Sequence, residues 1–353
     1  MSHFAVTIET ISEIQAHTNA DRLEMARLSG KDYEFVVLKD QFQVGDAVVY
    51  FPVDSLLPEW VTDALHLTGK LAGGAKNRVK TIKLRGNISQ GIVAFPAFFS
   101  DHAPEMKTVQ PGDDVTALLG VEKYEAPPIL FQHGTLLPLP PFVWKYDIEG
   151  AQNYVALVEQ LLDERVYITE KLEGSHWSVT WLAADERIIV SQRNFRIESE
   201  PDSPHAWHKM AREGDYAAKL RQIADEQGRR PQAITLRGEI VGPGIQANYY
   251  KLKQHRIYLF EAEIDGQPIA AGDFLVWLER YALPGVPVLA QDVTLREWLD
   301  GRTVKEAADG RSVIADKARE GIVIKPMSEQ RHDSLGRVFL KQRGPKYLAK
   351  SDF

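Results

Sequence analysis

A proline-rich segment after residue 124 limits how this chain can fold more than any other feature. It reads EAPPILFQHGTLLPLPPFVW and contains Pro127, Pro128, Pro138, Pro140 and Pro141. Proline fixes φ and lacks a backbone donor, so these positions favour extended backbone and exclude a long helix. With 353 residues, the chain is also longer than one hydrophobic core usually supports. The sequence therefore predicts two domains, residues 1–125 and 146–353, with a linker over residues 126–145.

The first 125 residues have the pattern of a small β-barrel. Short runs rich in β-branched and aromatic residues are separated by Gly, Asp and Pro, as in AVTIETI, EFVVLKD, DAVVYFPVD and GIVAFPAF. The run TIKLRGNISQGIVAF predicts a hairpin with Gly86 and Asn87 at its tip. The stretch HTNADRLEMARLSG is similar to the H-P-N-A-D-x-L stretch of tRNA-binding oligonucleotide-fold domains. This resemblance implies an OB-fold that binds nucleic acid.

Five cations lie close together in this part of the sequence, namely Lys76, Arg78, Lys80, Lys83 and Arg85. If the segment is a strand, alternation of side chains places Lys76, Arg78 and Lys80 on one face. Such a row is either a solvated strand face or a surface that binds phosphate groups. An OB-like barrel around it keeps the phosphate-binding interpretation open.

Composition excludes several classes of protein. The chain has no cysteine, which excludes disulfides, cysteine-ligated zinc, iron–sulfur clusters and cysteine nucleophiles. No apolar run is long enough to cross a bilayer, and the start MSHFAVTIETISEIQ lacks the pattern of a signal peptide. We therefore expect a cytoplasmic protein without a membrane partner. The net charge of −7 argues against a general polyanion-binding coat, although a local basic groove remains compatible with it.

Ordered motifs carry the chemistry of the second domain. Along the chain they read EKLEGS, VSQRNF, LRGEIVGPGIQ, EGIVIKP and VFLKQRGPKYL. Each is ordinary by itself, since such stretches are common in turns, hairpins and buried strands. Their order resembles the covalent nucleotidyltransferase superfamily of polynucleotide ligases and capping enzymes, whose motifs run K-x-(D/E)-G, (F/L)-x-G-E and E-G-(V/I)-(V/I)-(I/L)-K, followed by a lysine-bearing strand.

Further elements are similar to the RNA ligase branch of that superfamily. They are the glutamate before the lysine, SQRN, GPGIQ and IYLFEAEI. Together with the amino-terminal barrel, they make the whole chain resemble the nick-sealing RNA ligases typified by the Deinococcus enzyme. The resemblance implies an α+β protein in which an OB-fold barrel precedes a nucleotidyltransferase domain of ATP-grasp-like antiparallel sheets with helices. It also implies ATP, with Mg²⁺ or Mn²⁺, as cofactors and RNA as the partner of a monomeric enzyme.

The resemblance assigns the catalytic roles residue by residue. Lys171 is the nucleophile that takes AMP from ATP and passes it to an RNA 5′-phosphate, before a 3′-OH end displaces the AMP. A lysine attacks only as the neutral amine, which its usual pKa of about 10.4 makes scarce. Lys341 would stabilise charge at the α-phosphate. Glu173, Glu239 and Glu320 would surround the divalent cation through its water ligands.

The other implied roles concern the nucleotide and the RNA. Glu170 would accept from the adenine amino group, Phe260 would stack on the base, and Arg193 would reach the 3′-OH strand. Gly174 would let the nucleotide approach the backbone. Lys325 and Arg343 complete the implied nucleotide-binding set.

Two positions depart from the family pattern. Many relatives have lysine-x-lysine in the last motif, where this chain has Lys341, Gln342 and Arg343, and many have aspartate at the position of Glu173. Two alternatives stay open beside an RNA ligase that acts in RNA repair. One is a non-catalytic RNA-binding protein with a decayed transferase domain, and the other is a capping-type guanylyltransferase. The sequence does not decide between a nicked duplex and single strands as the substrate.

Overall fold

The computed structural model describes residues 4–125, 134–140, 142–200, 202–333 and 335–349. As far as they are described, residues 3–127 and 151–159 form one compact unit, and residues 128–150 and 160–347 form another. Of the predicted linker, residues 126–133 and 141 lie outside the described residues. Residues 135–138 form a strand of the second unit.

The first unit is built on a five-stranded antiparallel sheet with the order β3-β2-β1-β4-β8. The strands of the whole first unit are β1 (Thr7–Ala16), β2 (Leu23–Leu28), β3 (Glu34–Leu38), β4 (Ala47–Phe51), β5 (Ser55–Leu56), β6 (Thr81–Leu84), β7 (Asn87–Gln90), β8 (Ile92–Ala94) and β9 (Glu122–Lys123). Strands β5 and β9 pair with each other outside the five-stranded sheet, and so do β6 and β7. Its helices are α1 (Glu59–Ala64) and α2 (Thr116–Leu119), with 3-10 turns at Pro96–Phe99 and Pro104–Lys107.

Strand β4 separates two hydrophobic cores of this unit. Val48 and Tyr50 pack into one core, and Val49 and Phe51 pack into the other. Successive strand side chains point to opposite faces, so a strand covered on both faces must be apolar throughout. This explains the uninterrupted run AVVYF.

The β6–β7 hairpin turns one residue earlier than the sequence predicts. Leu84 pairs with Asn87, so the turn residues are Arg85 and Gly86, with φ of 47° and 103°. Positive φ at both central residues is the backbone of a type I′ hairpin turn, which matches the strand twist. The Asn19 side chain donates to the Arg85 carbonyl at 3.0 Å, and a His17 ring nitrogen lies 3.3 Å from the Leu84 carbonyl. The HTNADRL stretch therefore anchors the hairpin tip.

The prediction that Lys76, Arg78 and Lys80 share a strand face is wrong. Residues 76–80, all of which the structure describes, form no strand, and Lys76 lies in a turn with φ of 55° that follows two glycines. Arg78 Nη2 instead pairs with Asp54 Oδ1 at 2.6 Å, and its guanidinium lies 3.5 Å from the centre of the Tyr124 ring. Of the five cations, Lys83 lies in β6 and Arg85 at the hairpin tip.

Residues 151–159 join the first unit through a glutamine. Gln152 Nε2 donates to the Asp32 carbonyl at 3.1 Å and to Gln90 Oε1 at 3.2 Å. This stretch contains a 3-10 turn at Ala151–Asn153 and leads into helix α3 (Val155–Gln160). A further 3-10 turn at Leu161–Asp163 follows.

The second unit contains a seven-stranded and a five-stranded sheet. Their orders are β10-β15-β14-β13-β16-β17-β18 and β11-β23-β20-β12-β19. The strands are β10 (Thr135–Pro138), β11 (Glu149–Gly150), β12 (Arg165–Lys171), β13 (Ser175–Leu182), β14 (Ile188–Ser191), β15 (Phe195–Glu198), β16 (Ala233–Val241), β17 (Arg256–Ile264), β18 (Gln267–Pro268), β19 (Val288–Thr294), β20 (Gly321–Pro326), β21 (Arg331–His332), β22 (Gly336–Arg337) and β23 (Leu340–Arg343).

Helices cover one face of the seven-stranded sheet. They pack Trp207, Leu220 and Phe274 against strand residues such as Trp177 and Leu236 in one buried cluster. The helices of this unit are α4 (Ala206–Glu213), α5 (Tyr216–Asp225), α6 (Ala271–Arg280), α7 (Leu295–Leu299), α8 (Val304–Ala308) and α9 (Pro345–Leu348). The opposite face carries the polar motif residues. Across the described ranges, no helix is both long and apolar enough to span a lipid bilayer.

Candidate active site

The motif lysine lies at the end of β12, where it meets a carboxylate from the neighbouring strand. Lys171 pairs in register with Gly321 of β20, and its Nζ donates to Glu320 Oε1 at 2.7 Å. The Lys171 side chain is 21% exposed and that of Glu320 is 5% exposed. Glu320 Oε2 is buried and has no hydrogen-bond partner within the described chain. A buried acceptor without a donor is costly, so this oxygen is suited to a further ligand.

Two motif glycines are required by close backbone packing. A β-carbon at Gly321 would lie 2.0 Å from the Gln342 carbonyl oxygen, so β23 can approach β20 only at a glycine. A β-carbon at Gly174 would lie 2.4 Å from the Ile240 carbonyl oxygen of β16. The neighbouring strand alone therefore requires a glycine there, and the role predicted for Gly174 at the nucleotide stays a prediction.

Glu239 lies beside the Lys171–Glu320 pair. Burial raises the pKa of Glu239 to about 8, with Glu320 adding to the rise and Lys171 opposing it. The backbone N–H of Gly174 donates a hydrogen bond to the same carboxyl group. The folded protein thus favours the protonated form of Glu239, and a further cation in the site would oppose this.

Strand β23 adds two cations to this cluster. Lys341 and Arg343 are separated by one residue and so extend from the same face of β23, and Arg343 Nε lies 3.5 Å from Glu320 Oε1. Burial, followed by the nearby Arg343 and Lys171, lowers the pKa of Lys341 to about 8. The arginine that replaces the family lysine therefore still contributes positive charge beside Lys341.

Glu173 is held by tyrosines. Its Oε2 accepts from the Tyr347 hydroxyl at 3.0 Å, and its backbone N–H donates to the Tyr250 hydroxyl at 2.8 Å. Among the described residues, no group of three or more His, Cys, Asp and Glu side chains is placed to hold a metal ion directly. Direct coordination by Glu173, Glu239 and Glu320 together is therefore not built into this arrangement. The water-mediated role predicted for them stays a prediction.

Glu170 presents an open acceptor on a buried carboxylate. Its Oε2 accepts from the Val313 backbone N–H at 2.8 Å, whereas its Oε1 is buried without a hydrogen bond to any described group. Burial raises the pKa of Glu170. An amino donor such as that of adenine fits this oxygen, because it would satisfy the open acceptor.

Phe260 lies at a bulge in β17. Gly238 pairs with Leu259 and Arg237 with Glu261, so Phe260 has no opposite residue in β16. A bulge redirects the side chain of the extra residue. The Phe260 ring lies 5.1 Å from the Tyr146 ring, centre to centre, and packs against the apolar cluster that contains Leu172.

Two predicted nucleotide-site cations have partners inside the protein. Arg193 Nη2 pairs with Asp147 Oδ2 at 2.7 Å, while its side chain remains 44% exposed. Lys325 Nζ donates to the Phe260 carbonyl at 3.0 Å and to Glu261 Oε2 at 3.1 Å. Burial alone would raise the pKa of Glu261, but Lys325 and a neighbouring arginine outweigh burial and lower it to about 2. Lys325 thus stabilises a buried carboxylate in this structure.

A buried charge network that the sequence does not predict lies next to these residues. Arg237 binds Glu263 through two hydrogen bonds of 2.8 and 3.1 Å, and Arg337 binds Glu261 through two of 3.0 Å. The available signal is the placement of charged residues at regular intervals in the otherwise apolar strands β16 and β17. Tyr250 and Tyr347 carry no comparable signal, since each lies in a loop or a short helix without periodicity.

Comparison with protein families covers both units. A family model described as an OB-fold domain matches residues 5–97, and one described as RNA ligase matches residues 164–342, slightly more than half of the chain. These matches and the observed sheets confirm the predicted α+β fold, with an OB-fold unit before a nucleotidyltransferase unit. A search of curated proteins finds no significant match.

Solved structures of one RNA ligase, from Naegleria gruberi, are similar over nearly the whole chain. A lysine-to-alanine mutant with ATP and Mn is 28% identical, covers 99% of each chain and superposes with a TM-score of 0.78. A glutamate-to-alanine mutant with AMP and Mn gives the same values. A third structure, with PPi, is 28% identical, covers 99% of this chain and 98% of its own, and has a TM-score of 0.77.

Proposed function

This chain belongs to the RNA ligase family, and we propose that it uses ATP to join RNA 3′-OH and 5′-phosphate ends. In the first step, the Lys171 amine attacks the α-phosphorus of ATP, a P–N bond forms and pyrophosphate leaves. The AMP then passes to the RNA 5′-phosphate as an anhydride and frees the lysine. Attack by the 3′-OH forms the phosphodiester and releases AMP.

One observation carries the proposal. Side chains from three other strands or strand ends converge on the amine of Lys171 in β12. They are Glu239 of β16, Glu320 before β20 and Lys341 of β23. A decayed transferase site has no reason to keep two carboxyl groups and a second cation around that amine, each fully or partly buried, because burying charge is costly. This favours a catalytic protein over a passive RNA-binding protein.

The charges around Lys171 suit nucleophilic attack on phosphorus. Glu320 fixes the lysine side chain through the 2.7 Å hydrogen bond. Lys341 and Arg343 place positive charge close to the amine of Lys171. The same cations would stabilise negative charge that develops on the phosphate oxygens in the transition state.

The site also fits a divalent cation held through water ligands. Glu320 has a buried oxygen without a partner among the described groups, and burial raises the pKa of Glu239. Both features are relieved by an added cation, and the Naegleria ligase was solved with ATP and Mn. A bound Mg²⁺ or Mn²⁺ supplies charge neutralisation at the phosphates. Glu239 and Glu320 would hold it, with Glu173 close by.

RNA would contact the first unit through the β6–β7 hairpin. Lys83 and Arg85 are exposed there, next to the exposed apolar side chains of Ile82 and Leu84. Exposed cations bind phosphates, whereas Arg78 is already paired with Asp54. A role in RNA repair and a monomeric state are part of this proposal.

Covalent labelling tests the proposal against both alternatives. The purified protein is incubated with a divalent metal and ATP or GTP carrying label in the α-phosphate. We expect acid-labile, alkali-stable label on the protein from ATP, and none on the Lys171→Ala variant, whose unfolding temperature should stay close to that of the wild type. Label from GTP alone would support a guanylyltransferase, and no label from either would support an RNA-binding protein.

A further inference from the structure

The side chain of Glu173 is fixed by a tyrosine that comes from the far end of the second unit. The Tyr347 hydroxyl donates to Glu173 Oε2 at 3.0 Å, and the Tyr347 side chain is buried. Its ring packs edge-on against that of Tyr249, with centres 5.5 Å apart. The Tyr250 hydroxyl binds the Glu173 backbone N–H, so the main chain is held as well. Glu173 therefore has a defined orientation.

This orientation matters because of Lys171, two residues earlier. In the described chain, the Lys171 ammonium is paired with Glu320 and not with Glu173. Burial raises the pKa of the Glu173 carboxyl group, Glu320 adds to the rise and Lys171 opposes it. The three charged groups are therefore close enough to interact. A glutamate has one more methylene than an aspartate, and its longer side chain reaches more positions unless a partner holds it.

We propose that Tyr347 is a positioning residue, whose hydroxyl holds the Glu173 carboxylate away from Lys171 so that this amine keeps one carboxylate partner. The inference rests on the proposed role of Lys171 as the nucleophile. Without the hydroxyl, the freed Glu173 carboxylate is drawn to the ammonium group of Lys171. A second ion pair then occupies the amine and lowers its reactivity.

Matched variants separate this role from simple packing. Tyr347→Phe keeps the ring and removes the hydroxyl. Tyr249→Phe is the control, because it removes a neighbouring hydroxyl that donates to the Ala318 carbonyl at 2.8 Å and not to Glu173. Glu173→Asp shortens the carboxylate by one methylene, so the Tyr347 hydroxyl loses its acceptor. The unfolding temperature of each variant shows that it is folded.

The first measurement needs neither nucleotide nor metal. Each protein is treated with limiting acetic anhydride at fixed pH, and acetylation of Lys171 is quantified by mass spectrometry. We expect acetylation to be about tenfold slower in Tyr347→Phe, because the Lys171 amine must give up one added charged hydrogen bond before it reacts. We expect the wild-type rate in Tyr249→Phe. In the Glu173→Asp background, Tyr347→Phe should have no further effect.

The second measurement is self-adenylylation with ATP. We expect Tyr347→Phe to lower kcat about tenfold with an unchanged KM for ATP, and again to have no effect in the Glu173→Asp background. Acetylation of Lys171 at the wild-type rate in Tyr347→Phe would overturn the inference. So would a loss of about tenfold in rate when Tyr347→Phe is added to Glu173→Asp, because that loss would indicate a packing role for Tyr347. If the wild type forms no adenylate, the proposed function fails, while acetylation still decides whether Tyr347 restrains Glu173.

Discussion

Gly321 and Gln342 lie so close that a β-carbon on the glycine would stand 2.0 Å from the glutamine carbonyl oxygen. This contact joins β20 to β23 next to the reacting residues. Glu320 precedes the glycine, and Lys341 and Arg343 flank the glutamine. The approach of the two backbones thus brings a carboxylate and two cations to one side of Lys171. The glycine in the EGIVIK motif is a packing requirement of the site.

Gly321→Ala should therefore damage both stability and catalysis. The added methyl group has no space, since the nearest atoms belong to backbone that cannot move without breaking the β20–β23 pairing. We expect a loss of about 1–3 kcal/mol in the free energy of unfolding, as for other overpacked cores, together with loss of self-adenylylation. Gly228→Ala is the control, because nothing lies within 4 Å of its added carbon. Equal denaturation midpoints for the two variants would contradict this account.

Glu320 should tolerate shortening better than removal. Glu320→Ala removes the Lys171 partner and the open Oε2, so we expect adenylate formation and end joining to fall together by at least a hundredfold. Glu320→Asp keeps the charge and should retain part of both activities. Single-turnover rates with labelled ATP and with a pre-adenylylated RNA end measure the two steps separately. Normal joining by the alanine variant would show that this motif is only a core strand.

The pH dependence of stability should report on Glu239. A glutamate in the unfolded chain has a pKa of about 4.3, and in the folded protein that of Glu239 is raised to about 8. Protonated Glu239 makes its full contribution to the free energy of unfolding below about pH 4.3. This contribution is lost as pH rises to about 8, because the unfolded chain releases the Glu239 proton first. Glu239→Gln cannot ionise. We subtract the free energy of unfolding of the wild type from that of Glu239→Gln. This difference should be a few kcal/mol larger at pH 9 than at pH 4, since one pKa unit corresponds to about 1.4 kcal/mol.

Denaturant unfolding in EDTA across this range measures the difference. The control is Glu122→Gln, at an exposed position in the first unit. Parallel curves for wild type and Glu239→Gln would show that the Glu239 carboxyl group is not desolvated in the folded protein.

The sequence predicts the site better than it predicts the contacts that hold the site. Lys171, Glu320 and Lys341 are recognisable because motif order along the chain is preserved. Tyr347 and Glu173 are 174 positions apart, and the sequence offers no sign that they meet. The same holds for Lys325, whose motif position suggests a nucleotide contact, whereas its partner Glu261 lies 64 positions away. Hydrophobic periodicity predicts the strand face on which a side chain lies, but it does not predict contacts between residues that are far apart in the sequence.

Local errors in the first unit have a similar physical cause. Strict alternation predicts a strand face over residues 76–80, but the two preceding glycines permit a turn, and Lys76 adopts a left-handed backbone. Arg78 does not share a strand face with Lys76 and Lys80 as predicted, because its side chain binds Asp54, which lies 24 positions earlier. The sequence predicts the hairpin after residue 80, and its turn lies one residue earlier than predicted because Arg85 rather than Asn87 takes a positive φ.

The hairpin should contribute to RNA joining and not to adenylate formation. Lys83 and Arg85 are exposed on the first unit, while the motif residues assigned to the nucleotide lie in the second. We expect the double variant Lys83→Ala, Arg85→Ala to form adenylate at the wild-type rate and to bind nicked duplex RNA more weakly. Each lost phosphate contact should also reduce the slope of log affinity against log salt by about 0.9. Lys107→Ala, an exposed cation outside the hairpin, is the control. Binding and joining are measured across a salt series, and an unchanged slope with wild-type joining would remove the hairpin from the RNA-binding surface.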